Sequence, residues 1–407
     1  MSNSDGAETG RPGPAGTVSA RIVLKPGRDG PVLKRHHPWI FSQALAGATE
    51  GAPAGLPMPV LTSDGRVLGW GLHSPGSLIA VRMIGFGAQE PPKDWIEQRI
   101  RMAAGLRDVL RLDSDACRLV NSEGDFIPGL VVDRYADLIV ASAHTRGIEA
   151  LMGRITECLR SLYPSASIYY RRDEHFARVE SLSLASGYLA GSGDGSAIIR
   201  EGSARIKVDC AHGQKTGFYL DQRENRRIMA RCAAGRRVLN LFSYTGAVAV
   251  EAALAGAASV VSVESSRPAI ESARASAELN PQIRPDQLEW VQEDVFTYLE
   301  HPAAYDLVVA DPPPFARRRA ELDGALKGYL TLFTQCLRGL PAGGLAFLFS
   351  CSGAVDRPTF RRVVTEAGLR AGRELRMLRE LHADADHPAD GNHPEGEYLK
   401  GWMVHAV

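Results

Sequence analysis

From about residue 206 onward, apolar strand-like runs and runs of helical period follow one another: "RRVLNLFSY", "GAVAVEAALAG", "ASVVSVES", "RPAIESARASAELN", "LEWVQED", "YDLVVADPP", "LKGYLTLFTQCLRGL" and "GGLAFLFSCS". Strands joined through a helical crossover lie parallel in one sheet, with helices on both faces. The pattern therefore restricts the last half of the chain to an α/β fold with a doubly wound sheet. In such sheets ligands bind in the crevice beyond the carboxyl ends of the strands, so the residues that follow each strand matter most.

Upstream the pattern is different. Between about 19 and 90, "SARIVLKPG", "HPWIFSQAL", "MPVLTSDGRVLGWGLHS" and "SLIAVRMIGF" are short strand-like runs broken by Gly, Pro and Asp, with Asp64-Gly65 as a hairpin signal. A small β-barrel is expected there. Residues 91–111 carry apolar positions at Ile96, Ile100, Ala103, Leu106 and Leu110, a helical period. The stretch 91–205 reads as an α+β module, with "GIEALMGRITECLRSLYP" as one helix and Asp133-Arg134-Tyr135 as the bend of a hairpin. Residues 1–18, small, polar and Pro/Gly-rich, read as a disordered tail. The expected domains are thus 19–90, 91–205 and 206–407, which suits 407 residues, too many for one ordinary core.

Lys+Arg and Asp+Glu balance at 47 each, so affinity for a polyanion has to come from local patches. The six cysteines form no C-x-x-C pair, which fits a reducing cytoplasm. No apolar run approaches the roughly 20 residues that a spanning helix needs, and no membrane association is expected.

At the strand ends, "VLNLF" is followed by "SYTGAVAV". Its Thr245-Gly246 turn, lacking a side chain, would let a cofactor reach the backbone and a helix N-terminus, although a glycine there also has a purely structural use. Glu264 lies eighteen residues after Gly246, near the spacing of about 20 at which an acid binds ribose hydroxyls; alone it also reads as a cap or surface acid. Asp294, after "LEWVQE", is placed to accept from an adenine amino group. After "YDLVVA" comes Asp311-Pro312-Pro313-Pro314-Phe315. One glycine stands where a dinucleotide fingerprint has three, so an adenosine cofactor without pyrophosphate is expected, S-adenosylmethionine.

Six segments carry a closer resemblance: "GQKTGFYLDQREN" (213–225), "LNLFSYTGAVAVEAALAGAASVVSVESS" (239–266), "EDVF" (293–296), "DPPPF" (311–315), "FSCSG" (349–353) and "HPEGEYLKGW" (393–402). In order and over nearly all of 19–407, the chain resembles the bacterial family of large-subunit rRNA cytosine carbon-5 methyltransferases. "LKPGRDGPVLKRHHPWIFSQAL" and "LHSPGSLIAVRM" are similar to that family's N-terminal PUA domain. The resemblance implies a PUA domain, a middle α+β domain and a class I, Rossmann-like methyltransferase domain. It also implies S-adenosylmethionine as cofactor and rRNA as partner, with a homodimer left open. It places Gln214, Tyr219, Asp221 and Arg223 beside cofactor and substrate. Cofactor contacts are then expected from Asn240, Phe242, Ser243, Tyr244, Thr245, Gly246, Glu264, Ser265, Asp294, Val295 and Asp311. Pro314 departs from relatives that carry a polar residue there.

The family chemistry gives the cysteine in "FLFSCSGAV" a purpose. Carbon 5 of cytosine becomes nucleophilic enough only after a thiolate adds to carbon 6, and Cys351 is the candidate, a partly exposed thiol readied for deprotonation. The competing reading is a buried core cysteine, the role expected of Cys158 and Cys336. Asp311 would bond and protonate the target ring nitrogen, or serve as a loop carboxylate. Pro312 and Pro313 would form a rigid platform and Phe315 would stack on a flipped base. Arginines at a helix start oppose the dipole, so Arg223, Arg226 and Arg227 call for a partner anion or form a solvated face. Arg317, Arg318 and Arg319 suit phosphates, as do Lys34 and Arg35 beside His36, His37 and Trp39. Spacing among His382, Asp384, Asp386, His387, Asp390 and His393 matches no standard zinc set, and no metal is expected. Two rivals remain: methylation of an exocyclic base amine, and a non-catalytic RNA-binding protein.

Overall fold

A computed structural model describes residues 21–47, 53–316 and 318–407, with only the backbone for Arg319. The expected tail at 1–18 and Arg317 lie outside the described residues. The chain divides into one unit ending at Pro91 and another beginning at Pro92. Among the described residues no helix is long and apolar enough to cross a membrane.

In the first unit, strands Ile22–Val23, Trp39–Phe41, Met58–Leu61, Val67–His73 and Ile79–Phe86 form one sheet in the order first, third, fourth, fifth, second. The Asp64-Gly65 turn is present: Gly65 adopts φ +89° and the Thr62 hydroxyl donates to Asp64. Ile22, Leu24, Val32, Ile40, Val60 and Val81 fill the core beneath the sheet.

The second unit begins with helix Trp95–Leu110, which buries Ile96, Ile100 and Ala103. A five-stranded sheet follows, ordered Gly187–Ala190, Ser167–Tyr170, Leu138–Ala143, Leu130–Tyr135, Ala116–Asn121. The hairpin bend falls at 136–137, with Ala136 left-handed at φ +54°, rather than at Asp133-Arg134-Tyr135. Asp133 stays in the strand because its buried carboxylate is claimed by the Arg118 guanidinium and the Thr216 hydroxyl. The single helix expected at 147–164 is broken at Leu151 into Arg146–Ala150 and Met152–Leu162.

The last sheet has seven strands: β1 (Arg237–Leu241), β2 (Ser259–Glu264), β3 (Leu288–Gln292), β4 (Leu307–Ala310), β5 (Leu345–Ser350), β6 (Leu375–Leu381) and β7 (Lys400–Ala406). Their order is β3-β2-β1-β4-β5-β7-β6, and β7 runs antiparallel to both neighbours. Both faces are covered, as the near-continuous apolar strands require. Leu239, Leu241 and Val308 meet helices Leu322–Gly339 and Arg357–Ala371 on one face. Val238, Val309 and Phe347 meet helices Arg223–Arg231 and Ala247–Leu254 on the other. The chain reverses its winding between β1 and β4, where the strand ends open a crevice.

The arginines at 223–227 do have anions, but these are the protein's own. Arg223, only 2% exposed, donates to Asp384 (2.7 Å), to Asp386 (2.9 Å) and to the Ala116 carbonyl (2.9 Å). Arg226 grips Glu201 through two bonds of 2.7 Å, and Arg227 turns outward toward Glu224. This corrects the expectation that Arg223 serves the cofactor. Its charge is consumed in joining the five-stranded sheet to the loop between β6 and β7. Removing one partner from such a buried set costs about 3–5 kcal/mol. Arg223→Ala should lower the urea unfolding midpoint accordingly, and an unchanged midpoint contradicts this assignment.

Candidate active site

The turn after β1 is built from unusual backbone. Phe242 (φ +58°), Tyr244 (φ +46°) and Gly246 (φ +77°) are left-handed in alternation, conformations that cluster where function requires them. Glu264 at the end of β2 stabilises the turn, one carboxylate oxygen accepting from Tyr244 N (3.0 Å) and the other from Ser266 N (2.9 Å). The glycine at 246 is needed for packing as well as for φ: a Cβ there would lie 2.6 Å from the Trp290 ring and 2.8 Å from Ala273. Thr245 is buried, and Asn240 Nδ2 and Ser243 Oγ are buried without a partner. Such orphaned polar atoms in a crevice fit a polar ligand. Ser265 is exposed. Asp294 caps helix Val295–Tyr298, accepting from Phe296 N and Thr297 N through Oδ1, and Val295 is buried beneath it.

The 213–226 segment forms the facing wall. Gln214 N donates to the Tyr244 hydroxyl (2.7 Å), and the Tyr219 hydroxyl donates to Gln214 Oε1 (2.6 Å). Lys215, left-handed at φ +51°, places Nζ 3.2 Å from Asp221 Oδ2 and 4.2 Å from the centre of the Tyr219 ring. Burial would raise the Asp221 carboxyl, but the charges of Lys215 and His387 and the Tyr398 hydroxyl hold it well below the usual range. Its Oδ1 is buried without a partner.

Asp311 follows β4, and its Oδ2 accepts from the Gln222 amide at 2.9 Å. Burial, and then the charge of Asp221, push the Asp311 carboxyl up to about 7. Near neutrality it is therefore a proton donor as well as an acceptor. Pro312 is buried while Pro313 and Pro314 are exposed. The Phe315 ring does not wait for a base: it packs on Tyr329 (4.6 Å between centres) and Phe296 (6.3 Å), filling a core gap. Arg318 is exposed.

Cys351 follows β5, partly exposed, and its thiol donates to the Pro312 carbonyl at 3.8 Å. Its serine neighbours are fully buried and fasten the turn: Ser350 to the Tyr329 hydroxyl (3.0 Å), Ser352 to the Ala316 carbonyl (2.6 Å). Burial, with the Asp311 charge, pushes the thiol up to about 12, against the pull of Lys215. The resting sulfur is thus a neutral thiol, which corrects the expectation of one already readied for deprotonation. Cys158 and Cys336 are buried in helices, as packing residues should be.

The two strand-end groups of greatest chemical interest, Asp311 and Cys351, are thus brought together through Pro312. Lys34 and Arg35 belong to the first unit, exposed at the end of helix Gly30–Arg35, where His36 stacks on Phe86 at 4.5 Å. The loop residues Asp384, Asp386 and His387 are occupied with Arg223 and one another. Sequence reasoning passed over Lys215, Gln222, Tyr398 and Lys400, all inside quoted segments. The one available signal was a lone lysine heading the apolar strand "KGWMVHA".

This strand order and crevice define a class I S-adenosylmethionine-dependent methyltransferase. Residues 170–359 match the S-adenosylmethionine-dependent methyltransferase family and residues 22–86 a PUA-like domain. Among solved structures, SMU.776 complexed with SAH and a SAM-dependent methyltransferase from Streptococcus mutans each superpose with a TM-score of 0.80 at 22% identity, over 95% of this chain and 100% of theirs; the likeness is one of fold. Ribosomal RNA large subunit methyltransferase I of Shewanella frigidimarina is 39% identical over 95% of this chain and 99% of its own. The Escherichia coli protein of that name is 35% identical over 96% and 100%. The chain belongs to this bacterial ribosomal RNA large subunit methyltransferase I family.

The elevated Asp311 carboxyl gives a signed prediction. From about pH 4 to 7 the unfolded chain has released this proton while the folded protein keeps it, so stability falls as pH rises through that window. Melting temperatures of wild type and Asp311→Asn should diverge in the variant's favour across it and run parallel above. Parallel curves throughout would refute the shift.

Proposed function

We propose that this protein transfers a methyl group from S-adenosylmethionine to carbon 5 of a cytosine in large-subunit rRNA, through a covalent adduct with Cys351. The observation that carries the reading is the pairing of a thiol and an elevated carboxyl at the ends of neighbouring strands, one bonded to the platform that the other begins. S-adenosylmethionine supplies an electrophilic methyl group. Asn240, Ser243 and Glu264, with Gln214, Tyr219, Thr245, Gly246 and Asp294 around them, would hold the cofactor, and Pro312 and Pro313 would support the target base.

Cys351 Sγ gives up its proton and bonds to carbon 6 of the ring. The displaced π electrons are drawn toward the ring nitrogen, which takes the proton of Asp311. Carbon 5, now enamine-like, would bond to the methyl carbon as that carbon's bond to the sulfonium sulfur breaks, the pair leaving with S-adenosylhomocysteine. Solvent then takes the carbon-5 proton, the C5–H electrons form the C5=C6 bond and the C6–Sγ pair leaves with sulfur, which regains a proton; the ring nitrogen returns its proton to Asp311, so aromaticity and free enzyme are both restored. Lys34 and Arg35 of the PUA-like unit contribute backbone contacts to the RNA.

The resting thiol near 12 is the observation that favours the rival, methylation of an exocyclic amine, which needs no thiolate. Nucleosides from unmodified large-subunit rRNA, incubated with S-adenosylmethionine, separate the two by mass spectrometry. Wild type should yield 5-methylcytidine and Cys351→Ala none. An equally active variant, or an amine-methylated product, eliminates the adduct.

A further inference from the structure

Lys400 heads β7 and is buried, 3% exposed. Across the antiparallel β5–β7 pair its register partner is Ser350, which sets it beside the turn that carries Cys351. Its Nζ donates to the Ser352 carbonyl at 2.9 Å and to the Tyr398 carbonyl at 2.7 Å. Both acceptors are neutral. A buried ammonium bonded to carbonyls alone is costly to maintain, and an uncharged side chain would serve mere packing better. Burial draws the Lys400 ammonium down to about 8, while the nearby Cys351 sulfur opposes that fall.

We propose that Lys400 is a positioning residue for the nucleophile: its ammonium ties the Cys351 turn to the Tyr398 segment and sets a positive charge beside the sulfur as the thiolate forms. This rests on the cysteine-adduct reading and deepens it. When the S–H bond breaks, the electron pair stays on sulfur and the proton leaves to solvent. That new negative charge appears in a crevice that already holds Asp221 and Asp311, so a fixed cation is what keeps the step accessible. Lys400 has the geometry for this, since one of its acceptors belongs to the residue next to Cys351. Its second acceptor belongs to Tyr398, whose hydroxyl donates to Asp221. The lysine therefore fixes the nucleophile relative to the acid wall.

The test reads the thiol directly. Full-length wild type, Lys400→Met, Lys400→Gln and Lys400→Arg are treated with iodoacetamide near neutral pH, and alkylation of the Cys351 peptide is followed by mass spectrometry. Partly exposed Cys117 and Cys232 serve as internal controls. Lys400→Met and Lys400→Gln should slow Cys351 alkylation about tenfold, the change in thiolate fraction that one pKa unit makes. Lys400→Arg should stay close to wild type, and the controls should not move. Cys351 reacting at the wild-type rate in Lys400→Met, or Lys400→Gln matching Lys400→Arg, overturns the role of the charge. Should Lys400→Met fail to fold, the Gln and Arg variants decide the matter. The assay contains no RNA, so its outcome is separate from that of Cys351→Ala: an active Cys351→Ala enzyme removes the adduct whatever the alkylation rates are.

Discussion

A guanidinium shut away from water has to be surrounded by anions, and Arg223 obtains three from two stretches of chain far apart in sequence: Glu201, at the end of strand Ser196–Glu201, and Asp384 and Asp386 in the loop between β6 and β7. Asp386 is shared further, since it also accepts from Arg118 N and pairs with His387. The consequence reaches the crevice. The loop so anchored leads into Tyr398 and Lys400, while Arg118 holds Asp133, which holds Thr216 in the wall that carries Lys215 and Tyr219. Both sides of the site are thus positioned by one connected set of buried charges, and buried sets of this kind tolerate no missing member.

Within the crevice the same physics divides the acids into two states. Asp221, bonded to Tyr398 and beside Lys215, remains ionised, and that charge helps keep the proton on Asp311. Environments that push two titratable groups apart in this way assign one as fixed charge and the other as acid. The neutral resting thiol belongs to the same balance, because a further negative charge beside ionised Asp221 would be unfavourable until a substrate is present to take up the electrons.

How much of this was legible depended on the range over which each signal acts. Alternation of strand and helix was sufficient for β1 to β5, and the Asp64-Gly65 turn was local enough to be read directly. The antiparallel β7 was not, since nothing in "KGWMVHA" reports its direction or its place between β5 and β6. Asp311 and Cys351 stood out because they end strands. Arg223 was misread because the two carboxylates it donates to lie more than 150 residues downstream, and a helix considered alone shows only an unfavourable charge on its dipole. Asp133 and Phe315 failed likewise: each looked available until its tertiary partners were known. At Gly246 the sequence showed the turn but not the packing that also demands a glycine, because Trp290 and Ala273 meet it only in the folded sheet.

The placement of β7 also sets an order of assembly during synthesis. β5 emerges with its outer edge unpaired, and β6, next to leave the ribosome, has no place to dock until the strand after it has been made. Neither pairing exists until β7 is made, and β7 begins at Lys400, just after Tyr398. A chain ending before β7 would carry its thiol on an unfinished sheet: the strand that seats β6 is also the one that brings Lys400 to the Cys351 turn.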